Sequence, residues 1–197
     1  MIALIALIAL IALIAFRGSR MTPADITARL QSTFGAAVTP GPAAALDPFV
    51  TVDPAKLVEV CTLLRDDEKL RFEMLNDLSA VDYLEPDAKK AAKAGFDPHL
   101  EMVYHLSSFT FPGRRFTLKV VLPRWKGDTP GELPEVPTVT GVWPAADWHE
   151  REAYDLAGVR FVGHPDPRRI LLSDDWVGHP LRKDYEFPLE FHDIRCR

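Results

Sequence analysis

Apolar side chains recur at helical spacing in two stretches near the start of the chain. The first predicted helix follows Thr22-Pro23, a pair that favours a helix start, and ends at Gly35. Its apolar residues recur every four positions, at Ile26, Leu30 and Phe34. The second predicted helix starts at Asp53-Pro54 in the same way. Its apolar stripe consists of Leu57, Val58, Cys61 and Leu64.

Four further apolar runs have the composition of β-strands. They cover residues 49–52, 72–84, 100–109 and 116–122, and the last run is rich in β-branched side chains. Phe111-Pro112-Gly113-Arg114 has the residues of a tight turn. The third and fourth runs are therefore predicted to form a hairpin.

Prolines interrupt the second half of the chain. Residues 123–144 contain five prolines and predict an irregular connection, whereas residues 145–156 favour a helix with Gly158 near its end. Short strands are predicted at 159–162 and 170–172. The later prolines leave no room for anything longer.

Helices outside a central group of strands predict an α+β fold, with a single mixed or antiparallel sheet and helices packed on one face. Residues 36–48 are predicted to be a loop, and residues 85–98 a solvated loop or a short surface helix. Three parts of the chain follow from this pattern. They are a low-complexity extension over 1–20, the α+β domain over 21–144, and a helix with an extended, irregular docking segment over 145–197.

The first twenty residues differ from the rest of the chain. Residues 2–15 repeat Ile-Ala-Leu, and with Phe16 they would form a helix about 22 Å long, which is too short for a bilayer core about 30 Å thick. No positive charge precedes the repeat and no clear cleavage site follows it, so it is a poor signal peptide. We expect translation to start at Met21, with a membrane-surface anchor as the alternative.

Bulk composition excludes several classes of protein. The chain has 197 residues, of which 47% are hydrophobic and 26% charged, as in an ordinary globular protein. Its net charge of −5 argues against a nucleic-acid partner, because such proteins usually carry a basic face. Cys61 and Cys196 make no disulfide framework, and they are too few to hold an iron–sulfur cluster in this chain alone.

The usual signatures of catalysis and metal binding are missing. His149-Glu150 begins a pattern like that of zinc proteases, but Ala153 stands where the second histidine would lie. His164-Pro165 and His179-Pro180 lack the spacing of a metal site and are interpreted as hydrogen-bonding pins in rigid turns. No catalytic, cofactor-binding or metal-binding residue is therefore predicted.

The charged helix admits two interpretations. Arg151 lies four residues after Asp147 and four before Asp155, a spacing that allows an ion-pair ladder along the helix. The alternative is a surface that recognises the charges of a partner.

The segment after this helix mixes charge with aromatic and apolar side chains. Trp176, Tyr185 and several arginines are of the residue types enriched at interaction hot spots. Phe187, Leu189, Phe191 and Ile194 add apolar surface to a stretch too broken to form a core of its own. We expect this tail to wrap a partner, with a disordered tail as the alternative.

Four motifs in this region carry a resemblance to a known family. They are Glu150-Arg151-Glu152-Ala-Tyr-Asp155-Leu-Ala-Gly158, Phe161-Val-Gly163-His164-Pro165, Arg168-Arg169-Ile170-Leu171 and Gly178-His179-Pro180-Leu181-Arg182-Lys183-Asp184-Tyr185. Together they closely resemble the signature of the 30-kDa subunit family of respiratory complex I, the C subunit of proton-pumping NADH:quinone oxidoreductase. The resemblance assigns subunit docking to Glu150, Arg151, Glu152, Asp155, His164, Arg168, Arg169, His179, Arg182, Lys183, Asp184 and Tyr185.

The resemblance implies a structural subunit of the peripheral arm that carries no redox centre itself. Its expected partners are the quinone-site subunit, which is of the 49-kDa type, and neighbouring iron–sulfur subunits. FMN, iron–sulfur clusters, NADH and quinone are expected of the complex, and none of them of this chain. The expected location is the cytoplasmic side of the bacterial plasma membrane, with membrane contact only through the complex.

Two alternatives to complex I stay open at this point. A homologous subunit of a membrane-bound hydrogenase-type ion-pumping complex shares the same signature. An independent enzyme is the other alternative, and it would be monomeric and active alone.

Overall fold

The computed structural model describes residues 21–195. The predictions for residues 1–20 and those that rest on Cys196 lie outside this range. The α-helices are α1 (Pro23–Phe34), α2 (Leu57–Asp66), α3 (Ala88–Ala91) and α4 (Ala146–Ala157), with single 3₁₀ turns at Gly35–Ala37, Pro54–Lys56 and Lys126–Asp128. Within residues 21–195, no helix combines the length and the apolar character needed to cross a bilayer.

The predicted helix starts are confirmed with one adjustment. Thr22 and Asp25 form a reciprocal cap, because the Asp25 amide donates to Thr22 Oγ1 at 3.2 Å and the Thr22 amide donates to the Asp25 carboxylate at 2.8 Å. Asp53 caps a 3₁₀ turn by accepting the Ala55 amide at 2.9 Å. The α-helix proper therefore begins at Leu57, one turn later than predicted.

The main sheet has five strands in the order β1-β2-β5-β4-β3. The strands are β1 (Val38–Pro40), β2 (Phe49–Val52), β3 (Met74–Tyr83), β4 (His99–Ser107) and β5 (Arg115–Leu122). β2 runs parallel to β5 and all other neighbours are antiparallel, so the predicted mixed sheet is confirmed. The β4–β5 hairpin closes on the predicted turn, where the Arg114 amide donates to Phe111 O at 3.0 Å.

One face of the sheet forms the core. On β5, Phe116, Leu118, Val120 and Leu122 are buried and alternate with more exposed residues. Their cross-strand partners on β4 are Leu106, Tyr104, Met102 and Leu100, which are also buried. α1, α2 and α4 contribute side chains to the same cluster, so the predicted packing of helices on one face is confirmed.

Short strands account for the remaining differences from the predictions. Within the predicted loop 36–48 lies β1, and within the irregular connection 123–144 lies β6 (Glu135–Pro137). β6 pairs in parallel with β7 (Arg160–Val162), and β8 (Glu190–Phe191) pairs with β9 (Ile194–Arg195) near the end of the described chain. The prediction of a strand at 170–172 is wrong, because the backbone amides of these residues donate to the Asp155 carboxylate instead of to a neighbouring strand.

Candidate docking surface

The chain after β7 crosses the rest of the fold with little regular structure. We call residues 163–195 the strap and residues 21–162 the body. Within the strap, only the two-residue strands β8 and β9 form backbone pairs of regular structure. Side chains of α4, of the end of β3 and of the loop after β5 hold the strap in place instead.

Asp155, in the last turn of α4, organises the first part of the strap. Its carboxylate is fully buried, and one oxygen accepts the backbone amides of Ile170, Leu171 and Leu172 at 2.8–3.0 Å. The other oxygen accepts Arg169 Nη1 at 2.6 Å. Burial alone would raise the pKa of Asp155, but these donors outweigh it and lower that pKa below its ordinary value. The three amides therefore bind a carboxylate, as in an anion-binding nest.

Arg169 links Asp155 to the next part of the strap. Its Nη2 donates to the carbonyl oxygens of Trp176 at 3.2 Å and Gly178 at 3.1 Å. His179 Nδ1 lies 2.9 Å from Asp155 O and donates to it, because a carbonyl only accepts. Burial lowers the pKa of His179, which favours the neutral imidazole, and the bond to Asp155 O makes it the hydrogen-bonding pin that was predicted.

Arg182 fixes the next part of the strap to the end of α4. Its Nε donates to Ala157 O at 2.6 Å, its Nη2 to Gly158 O at 3.0 Å and its Nη1 to Arg124 O at 2.7 Å. The guanidinium lies over the Trp125 ring, 4.2 Å from the ring centroid. Burial lowers its pKa to about 10, so it stays charged at neutral pH. Arg182 therefore caps the helix carbonyls with a cation.

A charged triad ties the strap to the end of β3. Arg124 makes two bonds to Asp82, at 2.7 and 2.8 Å, and two to Asp184, at 2.7 and 3.1 Å. The Lys183 amide donates to the same Asp82 carboxylate at 2.9 Å. Hydrogen bonding to Asp82, against the effect of burial, raises the pKa of Arg124. Paired bonds of this kind fix orientation as well as position.

Glu150 lies on the opposite side of α4 and is also fully buried. Its carboxylate accepts Thr138 Oγ1 at 2.5 Å and the Val139 amide at 2.7 Å. Burial raises its pKa to about 7, because the two neutral donors do not offset the loss of water and the nearby Asp147 carboxylate raises the pKa further. Glu150 therefore joins α4 to the chain before it.

His164 and Arg151 stand beside Glu150 at a cavity of about 440 Å³. The Asp166 amide donates to His164 Nδ1 at 3.0 Å, so the ring presents its Nε2–H to Asp147 O at 3.2 Å. Arg151 donates to the carbonyl oxygens of Arg168 and Arg169, both at 3.1 Å. Arg151 thus binds the strap, and Asp155 pairs with Arg169 in place of the helical ladder. No cluster of three metal-liganding side chains occurs between residues 21 and 195.

The remaining predicted docking residues lie at the surface. Glu152 and the side chain of Lys183 are exposed, and Arg168 is exposed but paired with Asp166 at 2.7 Å. Tyr185 is half-buried and donates its hydroxyl to Val177 O at 3.1 Å. The twelve predicted residues are therefore of two kinds, internal pins and outward-facing groups, which the sequence did not separate.

Three residues of this arrangement were not singled out by sequence reasoning. Asp82, Arg124 and Trp125 lie in the body and receive the strap. Asp82 could have been found from the sequence, because its position in the strand alternation places it on the core face of β3, opposite the buried Leu100. A carboxylate on the core face of a strand requires a buried partner.

Several apolar side chains of the strap face solvent. Val177 is 84% exposed, Leu189 71%, Leu171 63%, Leu181 57% and Phe187 49%. These five residues form the candidate docking surface. Several exposed apolar side chains on one segment are typical of interaction sites.

Residues 50–190 match the family model described as the respiratory-chain NADH dehydrogenase, 30 Kd subunit. The chain belongs to this family. The match runs through the body and the strap, and the resemblance carried by the four motifs is confirmed.

Proteins designated as the C subunit of NADH-quinone oxidoreductase are similar to this chain in sequence. The C subunit of NADH-quinone oxidoreductase from Roseiflexus sp. (strain RS-1) is 46% identical over 138 residues, covering 70% of this chain and 69% of the relative. The corresponding protein of Salinispora arenicola (strain CNS-205) is 45% identical over 143 residues, covering 71% of this chain and 51% of the relative. The chain therefore spans about half the length of that protein.

Solved structures agree with the fold. The structure described as "Nqo5 of the trypsin-resistant fragment (1-134) in P63 form" superposes with a TM-score of 0.52 at 27% identity, covering 71% of this chain and 96% of that one. A chain of the membrane-bound sulfane sulfur reductase, an archaeal respiratory membrane complex, gives 0.60 at 22% identity, covering 82% and 84%. The latter likeness shows the fold alone.

Proposed function

We propose that this chain is a non-redox structural subunit in the peripheral arm of a proton-translocating NADH:quinone oxidoreductase, complex I. Eight relatives that are 38–46% identical carry the name of the C subunit of NADH-quinone oxidoreductase. That designation favours complex I over the hydrogenase-type alternative, whose support is a shared fold at 22% identity.

One observation carries the structural role. Charged residues of the family motifs such as Asp155 and Arg182 hold the strap to the body, while several apolar residues of the strap face solvent. A surface of this construction is suited to burying its apolar side chains against another polypeptide. We therefore assign docking to the outward face of the strap, with the buried pins acting as its support.

The proposal includes the surroundings of this subunit. The partner on the strap is the quinone-site subunit, of the 49-kDa type, with iron–sulfur subunits nearby. FMN, the clusters, NADH and quinone are bound by other subunits, and catalysis of the translocase reaction belongs to the complex. The chain reaches the cytoplasmic face of the membrane through these partners.

Incorporation into the complex tests this proposal. The double variant Val177→Asp with Leu189→Asp should reduce the amount of this chain recovered in purified complex about tenfold or more, because burying unpaired charges at an interface costs several kcal/mol. Leu46→Asp is the matched control, since Leu46 is fully exposed in a loop of the body. Quinone reductase activity should fall in proportion to the amount of this chain that is lost.

Two results would contradict the proposal. One is normal incorporation and activity of the double variant together with an unchanged melting temperature of the isolated chain. The other is an equal loss of incorporation in Leu46→Asp, which would mean that the strap does not differ from the body as a docking surface.

A further inference from the structure

The strap and the loop after β5 enclose a groove of about 620 Å³. Its walls are mostly aromatic and apolar, and include Trp125, Trp176, Tyr185, Pro188 and Phe191. Val177, at 84% exposure the most exposed apolar residue of the strap, also lines it. The groove therefore continues the docking surface into a concave site.

The groove is formed before any partner binds. The Trp176 and Phe191 rings are in contact, with centroids 4.8 Å apart, and Arg169 holds the carbonyls of Trp176 and Gly178. Gly178 has φ +82°, and a Cβ there would lie 2.8 Å from the Tyr185 ring, so only glycine allows this close approach. A preformed site loses less conformational entropy on binding.

Charge at the rim is one-sided. Glu186 and Glu190 line the groove, and within residues 21–195 neither lies in an ion pair, although Arg195 is the cross-strand partner of Glu190. The cationic lining residue Arg182 is buried and bonded to backbone carbonyls, and Asp184 is paired with Arg124. The groove thus shows solvent an apolar interior with unpaired carboxylates at its edge, which is complementary to apolar side chains flanked by cations.

One polar atom in the wall lacks a partner. Trp176 Nε1 is buried and has no acceptor among the described residues. Trp176 lines the groove, so a backbone carbonyl of an occupant can supply such an acceptor. Buried indole N–H groups usually find a partner, so this donor is a second indication of a missing chain.

We propose that the groove binds an extended segment of a partner subunit in which apolar side chains are flanked by lysine or arginine. This inference rests on the proposed docking function and specifies the chemistry of the partner. The apolar side chains enter between Trp125 and Trp176, a backbone carbonyl accepts the Trp176 Nε1–H, and the cations meet Glu186 and Glu190.

Photo-crosslinking in the assembled complex identifies the occupant. Val177→benzoylphenylalanine should crosslink to a partner segment that contains apolar residues within a few positions of a lysine or arginine. The same replacement at Glu68, an exposed residue in the body, is the control and should not reach that segment. A crosslink to an acidic or uncharged segment, to a second copy of this chain, or to its own residues 1–20 overturns the inference.

Charge reversal supplies the second measurement. Glu186→Lys with Glu190→Lys should weaken rebinding of the purified chain to complex depleted of it by about tenfold at low salt, with a smaller effect at high salt. Glu68→Lys should have no effect. Equal affinity for all three chains overturns the assignment of a basic segment, whereas failure of the wild-type chain to join the complex overturns the proposed function itself.

Discussion

The body and the strap are held by different forces. The body buries an apolar cluster of side chains from its sheet and helices. The strap contributes no residue to that cluster, and it is fixed by buried charges such as Asp155 and Arg182. Apolar burial tolerates small shifts, whereas paired charges specify position and fail when one partner is lost. The strap should therefore be the part of the molecule that a single polar substitution releases.

Asp155→Ala should give the largest effect on the strap. It leaves the partly buried Arg169 without its carboxylate and leaves three backbone amides without an acceptor, a loss of about 3–5 kcal/mol for a broken buried pair. Hydrogen exchange at Ile170, Leu171 and Leu172 should accelerate strongly while exchange in β4 and β5 stays slow.

Leu64→Ala is the matched change in the body. Leu64 is fully buried in α2, and its truncation should lower the free energy of unfolding by about 3 kcal/mol in urea titrations. The strap amides should keep their local protection in this variant. If the two substitutions give the same exchange pattern, the body and the strap form one cooperative unit and the contrast fails.

Glu150→Gln should change the pH dependence of stability. The pKa of Glu150 is raised from 4.5 to about 7 in the folded chain. Between these two pH values the folded chain therefore binds more protons than the unfolded one. Stability from this group is therefore present below pH 4.5 and is lost as pH rises to about 7, by about 3 kcal/mol in all.

Urea titrations at pH 5 and pH 8 measure this effect. Glu150→Gln removes the ionisable group and should reduce the fall in stability between pH 5 and pH 8. Asp155 acts with the opposite sign, because its lowered pKa gives stability that is lost as pH falls through its folded value. A wild-type stability that rises between pH 5 and pH 7 would be inconsistent with a desolvated Glu150.

Arg182→Lys should have a moderate effect on the strap, although it preserves charge. A lysine cannot reproduce three directed bonds to the carbonyls of Ala157, Gly158 and Arg124 or the stacking on Trp125. The expected loss is about 1–3 kcal/mol, from carbonyls left unsatisfied. Exchange rates of the amides over 178–185 report it, and rates equal to wild type would mean that charge alone suffices.

Lys183→Ala should give the smallest effect. The side chain is exposed and its backbone amide, which bonds Asp82, is unchanged by the substitution. Stability should stay within about 0.5 kcal/mol of wild type. A larger loss of stability would contradict the assignment of Lys183 as a surface residue, in contrast to the buried Arg182.

The same contrast explains what could be predicted from the sequence. In the body, apolar spacing placed α1, α2 and the strands β2 to β5, because local periodicity records which face is buried. In the strap, the contacts are between residues far apart, such as the Lys183 amide and Asp82, 101 positions away. No periodicity records such a pair.

The error at 170–172 has the same cause. Ile170-Leu171-Leu172 has the composition of a strand, but Asp155 takes all three amides. The family resemblance located Asp155 without its role, because a motif does not distinguish a residue that meets a partner from one that supports the surface. Depth in the fold made that distinction, as for Glu150, which is fully buried, and Glu152, which is exposed.

Hydrogen exchange on the chain alone and in the assembled complex tests most directly whether the strap is the docking surface. We expect amides over 170–172 to be protected in both states, and amides over 177–189 to gain protection on assembly. The open face of the sheet, which carries Lys119 and His105, should change less. Added protection confined to that face, with the strap unchanged, would contradict the claim that the strap is the docking surface.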